Sequence, residues 1–353
     1  MTASAPSPIT HFASASFEAA RQVHGLGHDD RRSRVHGHSF QLRASTALPE
    51  AWGGVLGGEL DALQAAVQSA VAPWDYRSLN EQLGAVDDAS VLAAALQGLD
   101  LPSAAALHLT SGPDQGAELR DGQRLAWRRF YFESAHYLPN VPAGHKCGRM
   151  HGHGFSAEIV ALNADGPAIE AAWLPLQQQL HWACLNDLPG LDNPTSERLS
   201  HWIYERLKTS LDIDRVVVCE TASSGSVYDG QQFRIWKQHS LDSAVRLAAA
   251  AEDDPRRRIH GHTYQVALHL VGDLDATLGW VTDFGDVREQ FKPVFKQLDH
   301  QPLFENPALA SGCPTALARW IAEAMSQALP ALAMIEVCPQ ADRGVCLSCG
   351  AQG

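Results

Sequence analysis

One tripeptide, His-Gly-His, occurs three times in this chain of 353 residues. The copies begin at His36, His151 and His260, which places them 115 and 109 residues apart. Each copy opens a segment in which apolar residues alternate with others, a period of two that predicts a β-strand. A spacing of about a hundred residues is too long for a solenoid repeat. The chain is therefore predicted to contain one small domain copied three times.

The landmarks around each tripeptide recur in the same order. Each copy reads as strand, strand, helix, helix, strand, strand, and the second helices are expected to begin at the N-caps Asp88, Thr195 and Thr315. Paired strands with helices grouped between them predict an α+β fold, an antiparallel sheet covered by helices on one face. The predicted domains are residues 1–123, 124–236 and 237–353.

The composition limits what the chain can act on. A net charge of −13 argues against binding to nucleic acid or to a membrane surface. No apolar run approaches the ~20 residues of a membrane span, and Met1 to Thr10 do not resemble a signal peptide. The seven cysteines are odd in number and scattered, which favours free thiols. We therefore expect a cytoplasmic protein.

The second copy carries a candidate metal site. Because side chains alternate along a strand, His151 and His153 project to the same face. His136 ends the preceding strand and could pair beside His151. Three histidines leave a fourth position for water or substrate, which is how catalytic zinc is held. The alternative is that the tripeptide forms a turn with polar tips.

Two sets of cysteines invite a chemical interpretation. Cys147 lies four residues before His151, and basic neighbours such as Lys146 and a nearby metal are expected to lower its thiol pKa and make it a base or nucleophile. An inert loop cysteine is the alternative. Cys346 and Cys349 form a single C-x-x-C pair, a weak signal for a metal or redox site.

Taken together, the ordered motifs resemble one family. The segments are Phe132-Glu133-Ser134-Ala135-His136, Cys147-Gly148-Arg149-Met150-His151-Gly152-His153, Pro194-Thr195-Ser196-Glu197 and Cys219-Glu220-Thr221. They are similar to the 6-pyruvoyl-tetrahydropterin synthase family, and most similar to its bacterial branch, the 6-carboxy-5,6,7,8-tetrahydropterin synthases of queuosine biosynthesis. The resemblance covers the second copy, much of the third and, more faintly, the first.

The resemblance implies a tunnelling fold with a ββααββ unit. Three fused units would form a pseudo-trimeric, twelve-stranded antiparallel barrel with helices outside, and two such chains could stack as a homodimer. It also implies zinc on three histidines, a cysteine base, an Asp-His pair donated by a neighbouring unit and a glutamate that anchors the pterin. The implied substrate is 7,8-dihydroneopterin triphosphate.

The three copies depart from this pattern in complementary ways. The second copy has His136, His151, His153, Cys147 and Glu220, but reads Leu180-His181-Trp182 where the Asp-His pair belongs. The third copy keeps that pair as Asp299-His300. At the position of His136, the first copy has Arg21 and the third has Val245. At the position of Cys147, the first copy has Arg32 and the third has Arg256. We therefore expect one composite active site per chain.

The expected function is that of a zinc-dependent 6-carboxytetrahydropterin synthase, a lyase. Two alternatives are open: a 6-pyruvoyl-type lyase on the same fold, and a non-catalytic pterin- or zinc-binding module left after duplication. The substrate triphosphate needs cations, for which Lys146 and Arg149 are candidates. The arginine runs 31–34 and 256–258 each follow acidic residues and are expected to be solvated and self-neutralising.

Overall fold

The computed structural model describes residues 8–26 and 30–350. Residues 1–7, part of the stretch considered above for a signal peptide, lie outside the described residues. Of the helices in the described part, none combines the length and the apolar character that a membrane crossing requires.

Each repeat contains two long strands, two main helices and two further strands. The first repeat has the strands β1 (Ile9–Arg21), β2 (His36–Thr46), β3 (Arg77–Ser78), β4 (Ala105–Gly112) and β5 (Gln115–Arg120) and the helices α1 (Glu59–Val71), α2 (Leu79–Gln82) and α3 (Asp88–Gly98). The second has β6 (Gln123–His136), β7 (His151–Leu162), α4 (Gly166–Leu180), β8 (Ala183–Cys184), α5 (Ser196–Leu207), β9 (Asp212–Thr221) and β10 (Ser224–Tyr228). The third has β11 (Phe233–Val245), β12 (His260–Gly272), α6 (Phe284–Leu298), β13 (Gln301–Pro302), α7 (Pro314–Met325), β14 (Leu332–Gln340) and β15 (Arg343–Ser348).

The strands follow an antiparallel order that closes after twelve members. The hydrogen-bonded sequence is β10-β9-β7-β6-β5-β4-β2-β1-β15-β14-β12-β11, and β10 also pairs with β11. The two-residue strands β3, β8 and β13 pair in parallel with β1, β6 and β11. The α+β fold with a closed twelve-stranded antiparallel order is thus confirmed.

By its internal contacts the chain forms two compact units. Unit 1 comprises Met1–Arg124, His239–Ala267 and Phe291–Gly353, and unit 2 comprises Leu125–Gln238 and Leu268–Gln290. Unit 2 therefore contains nearly all of the second repeat together with a segment of the third. Its core is apolar, with Phe132, Phe155 and Trp173 buried among aliphatic residues of α5 and β9.

A tight turn joins the first repeat to the second. Asp121 and Gly122, the two residues between β5 and β6, have φ angles of 52° and 76°. Positive φ at both central residues is the conformation of the Asp-Gly hairpin turn, whose twist matches that of the flanking strands.

One of the three predicted helix caps is correct. Thr195 caps α5, because its side chain accepts a hydrogen bond from the Arg198 N–H. The caps of α3 and α7 are instead Asp87 and Cys313, so the predictions of Asp88 and Thr315 are wrong by one and two residues. The Asp88 carboxylate has a different partner, the Arg21 guanidinium.

We predict that Gly152 is the least replaceable glycine of the three tripeptides. A Cβ at Gly152 would lie 3.2 Å from the Ser134 carbonyl oxygen, against 3.6 Å from Ser243 for Gly261 and 3.8 Å from Ala19 for Gly37. Gly152→Ala should lower the free energy of unfolding by about 1 kcal/mol through this overpacking. Thermal unfolding measures the change. The matched variants Gly37→Ala and Gly261→Ala should cost less, and an equal loss in all three would contradict the explanation.

Candidate active site

Three histidine side chains of unit 2 converge on one point. The antiparallel register places His136 of β6 directly opposite His151 of β7, and His153 follows on the same face. Ring centroids are 4.5 Å apart for His136 and His151, 5.2 Å for His136 and His153 and 5.9 Å for His151 and His153. One ring nitrogen of each lies within 4.8 Å of the others. This is a spacing at which three imidazoles can share a metal ion.

The hydrogen bonds of the three rings fix which nitrogen is available. Each Nδ1 faces a backbone carbonyl, that of Pro194 at 3.2 Å for His136, of Arg149 at 2.7 Å for His151 and of Gly154 at 3.1 Å for His153. A carbonyl only accepts, so each Nδ1 carries the proton and each Nε2 presents a lone pair.

The His136 Nε2 atom fits a metal better than any hydrogen bond. It is buried and has no hydrogen-bond partner among the described residues. A buried polar atom without a partner is costly in free energy. Burial is also the main reason that the pKa of His136 falls to about 4, with repulsion from His151 and His153 adding to the shift. The ring is therefore neutral at pH 7, the form that ligates.

Cys147 lies on the segment between β6 and β7 and is held close to the strand end. Its carbonyl accepts from the Leu138 N–H at 2.8 Å, and its own N–H donates to His145 Nδ1 at 3.3 Å. Burial raises the pKa of the thiol, and the charges of Glu220 and Asp283 add to the effect, while Lys146 opposes it. Lys146 thus acts in the expected direction, but among the groups of the described chain burial and two carboxylates outweigh it.

Glu220 is placed near the end of β9 and is half-buried. Burial, followed by repulsion from Glu197, raises the pKa of its carboxyl to about 7, against the attraction of Lys146. Glu220 also lines a cavity of about 960 Å³, together with Glu133, His181 and Cys219. The lining includes neither the three histidines nor Cys147.

The segment 273–283 of the third repeat, between β12 and α6, completes the site within unit 2. We call it the β12–α6 loop. Three backbone carbonyls of this loop each accept a hydrogen bond of 2.7 Å from a side chain. The Thr277 carbonyl accepts from Asn140, the Leu278 carbonyl from Asn193 and the Gly279 carbonyl from Thr195.

A carboxylate and a histidine anchor the end of the same loop. The Val281 N–H donates to Glu197 Oε1 at 3.0 Å, and Glu197 is 2% exposed. Asp283 Oδ2 lies 3.5 Å from His145 Nε2. Asp283 Oδ1 accepts a hydrogen bond from the Gly285 N–H at the start of α6. The sequence analysis did not find this loop. The signal that was available is the group of polar residues Asn193, Thr195 and Glu197, whose side chains have partners in this loop.

Asp299 and His300 lie in unit 1 and form a hydrogen-bonded pair. His300 Nδ1 is 2.9 Å from Asp299 Oδ2, and Asp299 Oδ1 accepts from the Asp242 N–H at 3.0 Å. The imidazole is 75% exposed and has a φ of 56°. Asp299 raises the pKa of His300, and the Asp242 N–H, followed by His300, lowers the pKa of Asp299. The pair thus has the geometry of an oriented proton carrier.

An arginine fills the metal position of the first repeat. Arg21 is opposite His36, as His136 is opposite His151, and is 4% exposed. Its guanidinium donates to the Val86 carbonyl at 3.0 Å and to Asp88 at 2.6 Å, and lies 3.2 Å from His38 Nε2. A fixed cation therefore sits on the imidazole nitrogen that would otherwise be a ligand.

The cysteines near the carboxyl end of the chain do not face one common partner. The Cys346 thiol contacts a carboxylate oxygen of Glu336, whereas the Cys349 thiol contacts the Leu347 carbonyl. Within the described residues, neither belongs to a group of three potential metal ligands.

Comparison with known proteins identifies the family. The family model for 6-pyruvoyl tetrahydropterin synthase matches residues 126–231 and again 234–347. Together the two matches cover more than half of the chain. The chain therefore belongs to the 6-pyruvoyl tetrahydropterin synthase family, as the motifs predicted, and the prediction of an enzyme of the pterin-synthase type is confirmed with it.

Similar individual proteins include one curated relative and two solved structures. A Synechocystis protein described as a 6-carboxy-5,6,7,8-tetrahydropterin synthase is 31% identical over 120 residues, 30% of this chain and 92% of the relative. The solved 6-pyruvoyl tetrahydropterin synthase of Caenorhabditis elegans matches at 18% identity with a TM-score of 0.30, over 33% of this chain and 96% of its own. A hyper-thermostable uricase mutant matches at 8% identity with a TM-score of 0.34, over 80% of this chain and 97% of its own.

We predict that Arg21→His creates a second metal site. The new imidazole would stand opposite His36 in the register that His136 has with His151. Three histidines then suffice for zinc, so bound zinc should rise from about one to about two per chain. Metal analysis after dialysis measures it. Arg21→Gln, which removes the charge without adding a ligand, should leave the content unchanged; a folded Arg21→His protein with no added zinc would contradict the prediction.

We predict that Glu197 holds the β12–α6 loop in place. Glu197→Ala removes the acceptor of the Val281 N–H, so the loop should open more often. Hydrogen exchange at the Val281 amide should accelerate by about tenfold, the equivalent of losing one hydrogen bond. Ser196→Ala, which removes a hydroxyl bound to the other oxygen of Glu197, is the matched control and should change this amide much less.

Proposed function

We propose that the protein is a zinc-dependent 6-carboxy-5,6,7,8-tetrahydropterin synthase that acts on 7,8-dihydroneopterin triphosphate in queuosine biosynthesis. The observation that carries the proposal is the convergence of His136, His151 and His153 on one point within unit 2. The similarity to the Synechocystis synthase supports the carboxy product. For this substrate, that product implies loss of triphosphate and of acetaldehyde.

The metal would be held by His136, His151 and His153. Zinc in this position would polarise the side-chain hydroxyls of the pterin and make their protons more acidic. The backbone carbonyls that face the three Nδ1 atoms support this assignment, because they leave each Nε2 directed at the metal position.

Glu220 would anchor the pterin ring. A pterin presents an amidine-like donor edge, to which a carboxylate can accept two parallel hydrogen bonds. The cavity beside Glu220 is of a size that small-molecule sites commonly have. Because the pKa of Glu220 is about 7, the anchoring carboxylate forms only as the pH rises through neutrality.

Proton transfer would be shared between two repeats. Cys147 as thiolate would remove a proton from the pterin side chain. His300, oriented by Asp299, would pass protons on, since imidazole titrates near working pH. Stacking of two chains as a homodimer belongs to the same proposal.

A cytoplasmic location is also part of the proposal. All seven cysteines, each within the described residues, are free thiols. Thiols persist in a reducing compartment, which supports the cytoplasm as the place of action.

A 6-pyruvoyl-type lyase is the second candidate, because the matching family model carries that name. Incubation of the zinc-loaded protein with 7,8-dihydroneopterin triphosphate, followed by mass analysis, separates the possibilities. We expect 6-carboxytetrahydropterin and acetaldehyde. A pyruvoyl product would favour the second candidate, and no conversion would favour a non-catalytic pterin- or zinc-binding module.

We predict that Cys147→Ala retains zinc but lowers kcat by at least about a hundredfold, the usual contribution of a general base. Steady-state kinetics and metal analysis of the same preparation measure both. Cys184→Ala replaces another half-buried thiol of the second repeat and should leave the rate unchanged. Unchanged turnover of Cys147→Ala would exclude Cys147 as the base.

We predict that pterin binding strengthens as the pH rises through about 7. Glu220 is protonated below its pKa and then loses one of its two acceptor positions. The change is measured by neopterin binding, monitored by fluorescence between pH 5.5 and 8.5. This range covers about 1.5 pH units on either side of the pKa. Glu197→Gln removes the neighbouring negative charge, so the midpoint should move to lower pH. In Glu220→Gln the dependence should vanish, and its persistence there would contradict the assignment.

A further inference from the structure

A cavity of unit 1 is bordered by three parts of the chain: the start of β1, the segment 47–58 with the first residue of α1, and the start of α7. It has a volume of about 180 Å³, and its lining includes His11, Glu59, Cys313, Thr315 and Arg319. All of its lining residues belong to unit 1, and none has a role in the proposed reaction. We call this space the His11 cavity.

His11 brings a buried imidazole without a hydrogen-bond partner to this cavity. The residue is 6% exposed, and its Nδ1 atom has no partner among the described residues. Of its cross-strand neighbours, Val345 is apolar, and the Thr46 hydroxyl donates to two backbone carbonyls of another segment. Burial lowers the pKa of His11 to about 4, so the neutral ring at pH 7 has one donor and one acceptor nitrogen. A buried polar group of this kind is costly unless a bound molecule supplies the missing interaction.

Glu59 adds a buried carboxylate to the same lining. Its Oε1 atom accepts from the Ala51 N–H at 2.7 Å, whereas Oε2 has no hydrogen-bond partner in the described chain. Burial raises the pKa of the Cys313 thiol; Thr315 opposes this shift, and the charge of Glu59 adds to it. The cavity therefore holds a neutral thiol and a carboxylate oxygen that is available to a ligand.

Arg319 lies on the exposed side of the cavity. It follows Thr315 by four residues on α7, so the two side chains share one face of the helix. The guanidinium is exposed and forms no ion pair with any residue that the structure describes. The lining thus combines buried acceptors with a cation that is open to solvent.

The lining suits an organic molecule better than a metal ion. Within the described ranges, the ligand atoms of His11, Glu59 and Cys313 do not all lie within 4.8 Å of one another, as they would around one ion. The carboxylates Glu50 and Glu59 outnumber the single guanidinium, and His11 is neutral at pH 7. The lining therefore favours a positively charged hydrogen-bond donor.

We propose that the His11 cavity binds a small organic molecule through an ammonium group, which donates to Glu59 Oε2 and to the lone-pair nitrogen of His11. An ammonium group has three donors and can contact both acceptors. Simple amines and amino acids both carry this group, and Arg319 distinguishes them, because it can pair only with the carboxylate of an amino acid. The proposed metal site belongs to unit 2, so the two sites share no residue.

The test is calorimetric titration of the full-length protein at pH 7 with butylamine and, separately, with 4-aminobutyrate. We expect saturable binding. Glu59→Gln keeps an oxygen for the Ala51 N–H but removes the charge, so it should weaken binding by about tenfold, the loss of one charge-assisted hydrogen bond. Glu81→Gln removes an exposed carboxylate from the first turn of α2, in the same unit, and is the matched control that should bind as the unchanged protein does.

Two variants test the position of the ligand without changing Glu59. Ala316→Leu adds volume inside the cavity and should abolish binding of both probes, while His11→Phe keeps a ring of similar shape without its nitrogens and should weaken both. Circular dichroism shows whether each variant is folded. Arg319→Met should weaken 4-aminobutyrate alone if amino acids are the ligands, and neither probe if simple amines are.

The outcomes are independent of the proposed synthase, because the readout is binding rather than turnover. If neither probe binds to the unchanged protein, the cavity holds only water and the proposal is overturned. Unchanged affinity in folded Glu59→Gln and Ala316→Leu proteins would overturn it as well, since the probes would then bind elsewhere. Binding that these variants weaken supports the ammonium site even if no pterin is converted.

Discussion

The site depends on how one strand pair brings three imidazoles together. The register of β6 and β7 sets His136 against His151, and backbone carbonyls hold every Nδ1 proton. Each Nε2 lone pair is thereby turned toward a common point, and that of His136 is buried without a partner in the described chain. Such a group is tolerated where a ligand supplies the missing interaction. The surrounding structure is arranged to keep this geometry, including Gly152, which allows β6 to approach.

In the first repeat, an arginine side chain occupies the place that the second repeat offers to a metal ion. Its strand pair has the same register, but Arg21 brings its own positive charge to His38 and is balanced by Asp88. In the third repeat, Arg256 stands at the position of Cys147 and is held by Asp61 and Asp254. Among the described residues, one histidine triad is able to hold a metal ion. An arginine–aspartate pair occupies the metal position in the first repeat, and arginine–aspartate pairs occupy the cysteine position in the third.

Much of the candidate site could be read from the sequence because strand periodicity is local. Alternation alone placed His151 and His153 on one face. Arg21 was identified as the counterpart of His136 because each lies 15 residues before the His-Gly-His tripeptide of its own repeat. The electrostatics of Cys147 could not be read in this way. Lys146 is its neighbour in sequence, but Glu220 and Asp283, which act in the opposite direction, approach only in the folded chain. The β12–α6 loop was missed for the same reason, since its partners lie more than 80 residues away in the case of Glu197.

The sequence by itself determined the repeated ββααββ order, the family and the three histidines, because these follow from short-range patterns of apolar and polar residues. The tertiary structure decided what surrounds them. It brought Val281 and Asp283 of the third repeat onto the second and raised the pKa of Glu220 to about 7. Burial and charge act through space between groups that are distant along the chain, so their effects appear only once the strands have paired.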